Sequence, residues 1–179
     1  MSVLRQTKTS LLHAHTKVIL QRINRTLYLR ILITPSGLTM NFDQCCEYLA
    51  NKPEATLSFP FDPDVYVYKV CNKMFALISP TGMTSPSNPN KVSQMNLKCD
   101  PFHAQELRDV FPAIIAGYHM NKKHWNTLIL DGSLPASEIT RLIDHSYALI
   151  THKLTRAQKA PLELKYGQEA LYKGLQPFQ

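Results

Sequence analysis

The side chains of this chain that could do chemistry are cysteines, histidines and lysines, and their spacing sorts them. Cys45, Cys46, Cys71 and Cys99 form no CxxC pair and no metal-ligand spacing. Four reduced thiols are therefore expected, not a zinc site or a disulfide framework. His119 and His124 bracket a short basic segment and invite a metal with His103 or His145. A zinc or iron site needs three or four ligands with supporting partners, and these four histidines show neither H-x-H nor E-x-x-H spacing. No metal and no cofactor are expected. No Ser-His-Asp or Cys-His set has a recognisable nucleophile elbow, and the single-glycine turn at Gly132 cannot cradle a phosphate. His124 and Asp131 can be drawn as a base and its orienter, but no nucleophile accompanies them. No catalytic residue is assigned, and the chain reads as non-enzymatic.

The lysines remain. Gly117–Gly132 reads as strand, basic turn, strand: Tyr118 and Met120 alternate before the turn, and Trp125, Thr127 and Ile129 after it. The tip is Asn121-Lys122-Lys123, and Asn tolerates the left-handed backbone of a tight turn. A second hairpin is expected from Val65–Val70 and Lys73–Ser79 around Cys71-Asn72, again with a lysine beside the Asn. Lys69, Lys73, Lys91, Lys98, Lys122 and Lys123 thus lie on strands or tips, with Tyr66, Tyr68, Tyr118 and Trp125 near them in sequence. Lysines make salt-sensitive phosphate contacts, and exposed aromatics stack on bases. The candidate DNA-contacting set is Lys69, Lys73, Lys91, Lys98, Tyr118, Asn121, Lys122, Lys123 and His124. An alternative stands beside it: edge lysines keep strands from aggregating, and Tyr and Trp fill the core. For Trp125 the core reading is preferred; for the lysine tips the two readings balance.

The elements that position these residues follow from periodicity. Phe42, Cys45, Cys46 and Leu49 mark a helix over Asn41–Asn51, ended by Pro53. A strand is expected at Ala55–Phe61, before the first hairpin. The proline-rich stretch Ser79–Asn90 reads as a mobile loop insertion. Lys91–Cys99 alternates as a strand with one wet face. Asp100-Pro101 caps and opens a second helix with Ala104, Leu107 and Phe111 inward, closed by Pro112. A third helix runs from near Pro135 to Thr151, with Ile139, Leu142, Ile143, Ser146, Tyr147 and Ile150 on one face. After Thr155 the pattern dissolves, with a turn of helix allowed but not required at Tyr166–Tyr172, so residues 155–179 read as a tail.

The formal charge of +7, from 20 Lys and Arg against 13 Asp and Glu, suggests an anionic partner until its location is considered. Arg5, Lys8, Lys17, Arg22, Arg25 and Arg30 precede the first acid, Asp43; removing those six leaves 14 basic residues against 13 acids. A global basic-protein argument for nucleic acid fails, and only local clustering can support one. The acid-free residues 1–39 read as an extension: disordered, transit-like, or an over-extended start upstream of Met40, the last being favoured. No apolar run is long enough to cross a bilayer.

Met95-Asn-Leu-Lys-Cys-Asp-Pro101, Leu107-Arg-Asp-Val-Phe-Pro112, Gly117-Tyr-His-Met-Asn-Lys-Lys-His-Trp125, Asp131-Gly-Ser-Leu-Pro135 and Leu142-Ile-Asp-His-Ser-Tyr147 occur in that order. Together, over roughly residues 40–152, they resemble the MmcQ/YjbR family of small bacterial proteins. The resemblance implies an α+β fold, a frataxin (CyaY)-like antiparallel sheet with helices packed on one face, and a double-wing DNA-binding role. Frataxins carry an acidic ridge on the first helix and edge strand; here Asp43 and Glu47 alone stand on that helix, which disfavours iron handling. The expectation is one domain at 40–154, cytoplasmic, binding DNA weakly through two basic hairpins. The alternative is a protein-interaction module with no nucleic-acid role, its partner unknown.

Overall fold

The computed structural model describes residues 39–83 and 91–175. The expectations for the N-terminal extension up to residue 38, for 84–90 within the proline-rich stretch and for 176–179 lie outside the described residues. In chain order the elements are α1 (Phe42–Ala50), β1 (Thr56–Ser58), β2 (Tyr66–Val70), β3 (Lys73–Ser79), β4 (Gln94–Lys98), α2 (Pro101–Val110), β5 (Ile114–Ala116), β6 (Trp125–Ile129), α3 (Ala136–His152) and α4 (Arg156–Tyr172). A 3-10 turn, Lys173–Leu175, follows α4. The strands form one antiparallel sheet in the order β1-β2-β3-β4-β6-β5.

Local chemistry explains the boundaries. Asn41 and Gln44 cap α1 reciprocally, each side-chain oxygen accepting the other's backbone N–H at 2.9 Å. Asp100 caps α2 by accepting from the Phe102 N–H, with Pro101 at the first helical position. Cys71 and Asn72 both take positive φ, 45° and 61°, as the two-residue turn joining β2 to β3 requires. A bulge beside Tyr68 and Lys69 leaves Phe75 without a partner on β2, and both Phe75 and Ala76 join the helix-side core.

The four described helices contribute to a single core on one face of the sheet, where they meet Tyr68, Val70, Ala76, Ile78, Met95, Leu97, Ile114 and Leu128. The opposite face has no helix among the described residues, yet it is not wet. Val67, Leu77 and Trp125 form a second small core there, covered by Met74, Met83 and Met120. This corrects the expected wet face of Lys91–Cys99. The strand is shorter, Gln94–Lys98, and Asn96 is only 1% exposed. Its side chain accepts from Thr127 Oγ1 and donates to the Tyr118 carbonyl, because the segment after β5 folds back over that face. The expected strand at Tyr118 and Met120 is likewise corrected. Pairing with β6 is made by Ile114–Ala116, and Gly117–His124 is a loop. Gly117 is required where it stands, since a Cβ there would lie 2.8 Å from both Cβ and O of Trp125.

The third correction concerns the C-terminus. Residues expected as a tail form α4, opened by a Thr155–Gln158 capping box and bent where Gly167 adopts φ 77°. Leu162 and Leu171 are buried in the main core. The reason lies in α3, which buries polar residues as well as its apolar stripe: Asp144, His145, Ser146 and Thr151 are all enclosed. Asp144 accepts from Tyr48 Oη at 2.9 and 3.1 Å, pairs with Lys52 on the α1 side and lies 3.5 Å from Lys173. His145 Nδ1 sits 2.8 Å from the Gly174 carbonyl, and Gly174 approaches the Asp144 backbone too closely for any side chain.

Removing one partner of a buried pair leaves the other charge uncompensated, so Asp144→Ala is expected to cost about 3–5 kcal/mol in urea denaturation at pH 7. Lys173, 69% exposed, is expected to lose no more than about 1 kcal/mol on replacement by Ala. Equal effects of the two substitutions would contradict this account. Thr127→Val removes the acceptor of the Tyr118 N–H and the partner of Asn96, at an expected cost of about 1–3 kcal/mol in the same measurement.

Candidate nucleic-acid interface

Strand direction assigns each candidate lysine to an end of the sheet. The pairings Val70 with Lys73, Lys98 with Trp125 and Ala116 with Asn126 bring the close of β2, the start of β3, the close of β4 and the start of β6 to one end. Lys69, Lys73 and Lys98 stand there, together with the loop carrying Tyr118, Asn121, Lys122, Lys123 and His124. Lys91, which precedes β4, lies at the opposite end, where Ser93 donates to the Pro80 carbonyl. The structure thus gathers eight of the nine candidate residues and separates Lys91 from them.

The loop has an internal scaffold. Asn121 Oδ1 accepts from the Lys123 N–H at 3.0 Å, and the Asn121 carbonyl accepts from the His124 N–H at 2.9 Å. Arg108 reaches from α2 and donates to the Lys122 carbonyl at 3.0 Å. The backbone is held while the side chains of Asn121, Lys122 and Lys123 remain exposed. The sequence reading did not anticipate this role of Arg108, because only the fold brings α2 beside the tip.

The aromatic half of the expected surface is reassigned. Trp125 is 6% exposed and belongs to the second core, as preferred from sequence, and Tyr68 is buried in the main one. Tyr66 packs edge-on against Phe42 and Phe59. Tyr118 is half-buried with its ring 4.2 Å from that of His119. What Trp125 offers is a seat for Lys98, whose Nζ lies 5.0 Å from the ring centroid. Burial, then repulsion from Lys153 and Lys73, holds the Lys98 ammonium below the ordinary lysine range. Lys153 was not among the expected site residues, since it sits on the helix layer at the end of α3.

Electrostatic pairing separates these lysines from the rest. Among the described residues the ion pairs join Lys52 and Lys173 to Asp144, Arg141 to Glu138, Lys165 to Glu54, and His103 to Asp100 if protonated. None involves Lys69, Lys73, Lys98, Lys122, Lys123 or Lys153. Two acids toward this end are engaged, Glu54 by Lys165 and Tyr166 and Asp100 by its capping bond.

Other chemistry is sparse. No group of three His, Cys, Asp or Glu residues suited to a metal occurs among the described residues. Burial pushes the thiols of Cys45 and Cys46 up to about 12 and that of Cys99 up to about 11, which suppresses the reactive thiolate. A cleft of about 460 Å³ beside the β2–β3 turn includes Cys71, Asn72, Leu162 and the Glu54–Lys165 pair, with no histidine to act as a base. No described helix is long and apolar enough to cross a membrane.

Comparison with known proteins fits this architecture. The uncharacterised protein YjbR of Escherichia coli strain K12 is 35% identical over 108 residues, covering 60% of this chain and 85% of the relative. The uncharacterised protein YbdF of Escherichia coli O157:H7 is 32% identical over 104 residues, covering 58% and 79%. The crystal structure of a Deinococcus radiodurans protein matches with a TM-score of 0.60 at 35% identity, covering 69% of this chain and 88% of that one. A Pseudomonas syringae structure matches at 0.53 and 32% identity, covering 62% and 98%. The YjbR family model spans residues 50–149, and the chain belongs to that family.

Proposed function

We propose that this protein binds DNA through the lysine-bearing end of its sheet, contacting the sugar-phosphate backbone and catalysing no reaction on it. The observation that carries the reading is the convergence of Lys69, Lys73, Lys98, Lys122 and Lys123, none in an ion pair with a described carboxylate. Lysines left unpaired at one end of a fold with balanced charge are a local anion-binding surface. The β2–β3 turn and the Gly117–His124 loop act as the two wings, with Asn121 and His124 shaping the second. Buried Trp125 and Tyr68 offer no face for base stacking, so recognition runs through the phosphates and groove shape. Lys91 lies outside this surface. Four cysteines without a disulfide suit a reducing compartment, and we assign the protein to the cytoplasm.

A protein-interaction role has one observation of its own. Edge strand β1 lies in the uncharged run Ala55–Phe61, and Leu57, Phe59 and Phe61 are exposed, Phe61 to 66%. Exposed apolar edges favour pairing with another chain. The basic end is preferred because its lysines come from several separate segments of the fold, whereas the apolar residues are one short stretch of chain.

The test is the salt dependence of duplex affinity for the full chain and for the Lys73/Lys122/Lys123→Ala triple variant. Each lost phosphate contact lowers the log-log salt slope by about one, so a reduction of about three is expected. Circular dichroism and thermal melting of the variant should match the parent. No duplex binding at low salt, or an unchanged slope in a folded variant, would refute the proposal.

A further inference from the structure

The loop between β5 and β6 is tied down at both stems. Gly117 N–H donates to the Trp125 carbonyl at 2.9 Å, Tyr118 N–H to Thr127 Oγ1 at 3.0 Å, and Asn96 Nδ2 to the Tyr118 carbonyl at 3.2 Å. At the other stem the His124 carbonyl accepts from the Cys99 N–H at 2.8 Å. The tip, residues 121–123, has one hydrogen bond from outside the loop among the described residues: Arg108 Nη1 donates to the Lys122 carbonyl at 3.0 Å. Arg108 is itself held. Its Nη2 donates to Gln105 Oε1 at 3.1 Å, and Gln105 Nε2 donates to Asp109 Oδ1 at 2.7 Å, one turn along the same helix. That helix is fixed beneath by buried Ala104 and Leu107, and Asn126 of β6 donates to the Ala104 carbonyl at 3.1 Å. Both terminal nitrogens of the guanidinium are thus engaged, and Nε is enclosed without a partner. The fork is turned to the loop and to its own helix.

We infer, resting on the DNA-binding reading, that Arg108 is a positioning residue of that surface: by holding the Lys122 carbonyl it presents Lys122 and Lys123 to the phosphates in one geometry, and it makes no phosphate contact itself. Asn121 orders the Lys123 and His124 amides, but those bonds lie within the loop and do not fix its tip to the rest of the fold. A lysine tip that is already ordered loses less conformational freedom on binding, so the brace raises affinity without adding a contact. A guanidinium suits the task because its planar fork donates in fixed directions, here to Gln105 and to Lys122, where an ammonium on a flexible stem does not hold both. Its charge also strengthens the bond to the carbonyl.

The experiment measures duplex affinity and its salt dependence for the full chain, Arg108→Met, Arg108→Lys and Lys122/Lys123→Ala, each with its melting curve. Arg108→Met is expected to raise Kd about tenfold at fixed salt, the scale of one hydrogen bond to a charged group, with the log-log salt slope near the parent value. Lys122/Lys123→Ala should instead lower that slope by about two. Arg108→Lys keeps the charge and loses the fork, so it should remain weakened; it carries the comparison should Arg108→Met unfold. Added to Lys122/Lys123→Ala, Arg108→Met should weaken binding no further, because no tip lysine is left to place. In the DNA-free protein the Lys123 and His124 amides should exchange faster in Arg108→Met than in the parent, with those of β4 and β6 unchanged. A salt slope lower by about one in Arg108→Met, additive losses on the lysine-free tip, or parent affinity in Arg108→Lys would each overturn the role. Unchanged exchange in folded Arg108→Met would do the same. If the full chain binds no duplex, the functional reading fails; faster exchange in Arg108→Met then leaves the brace standing and its DNA role lost.

Discussion

The enclosure of α3 is the constraint on which the rest of this structure depends. A helix with one apolar stripe needs a sheet beneath it and leaves its other side to water. Here the other side carries Asp144, His145 and Thr151, and each must find a partner in the interior. Asp144 draws in Tyr48 and Lys52, which anchors α1; His145 and Thr151 take the Gly174 and Leu171 carbonyls, which anchors the C-terminal segment. Ser146 does the same toward the sheet, bonding backbone groups of both β3 and β4. The helix layer is thus assembled around polar requirements of one helix, and the core beneath it fills the space so defined.

This arrangement also decides where charge remains. The most buried carboxylate holds two lysines within the helix layer, and the Glu54–Lys165 pair joins the start of β1 to α4. Those pairs engage two acids with three lysines. The lysines at the closing end of β2 and β4 and on the loop before β6 have no such partners. A chain whose net charge outside its first forty residues is close to balance can therefore present a strongly one-signed patch. On the proposed reading, association through that patch would be salt-sensitive, and buried Trp125 and Tyr68 would contribute no base stacking.

Much of this was legible in the residues. Lys73–Ser79 is a strand with the boundaries its pattern predicts, since the adjacent Cys71-Asn72 turn punctuates it. The first helix and the second are set by side-chain caps that operate locally, and α3 by a stripe long enough to outweigh its missing cap. Several features escaped, Arg108 beside the Lys122 tip among them. Asn96 looks solvent-facing by alternation, and only the return of the Tyr118 segment over that face buries it. The strand expected at Tyr118 yields to a loop because Gly117 packs against Trp125, a contact that spacing cannot disclose. Pro161 and Gly167 interrupt the pattern of α4, whose place is fixed by long-range contacts to α3. Lys153 was missed for a related reason: Lys98, whose ammonium it repels, is distant in sequence and comes near it only through the fold.

The central claim is that one end of the sheet, and no other surface, meets the phosphate backbone. Amide chemical-shift mapping of the full chain against a short duplex at low salt tests it most directly. The account predicts shifts concentrated at 69–73, 98 and 118–125, fading as salt is raised. Shifts centred on β1 and Phe61, or near Lys91, or an unperturbed spectrum throughout, would contradict it.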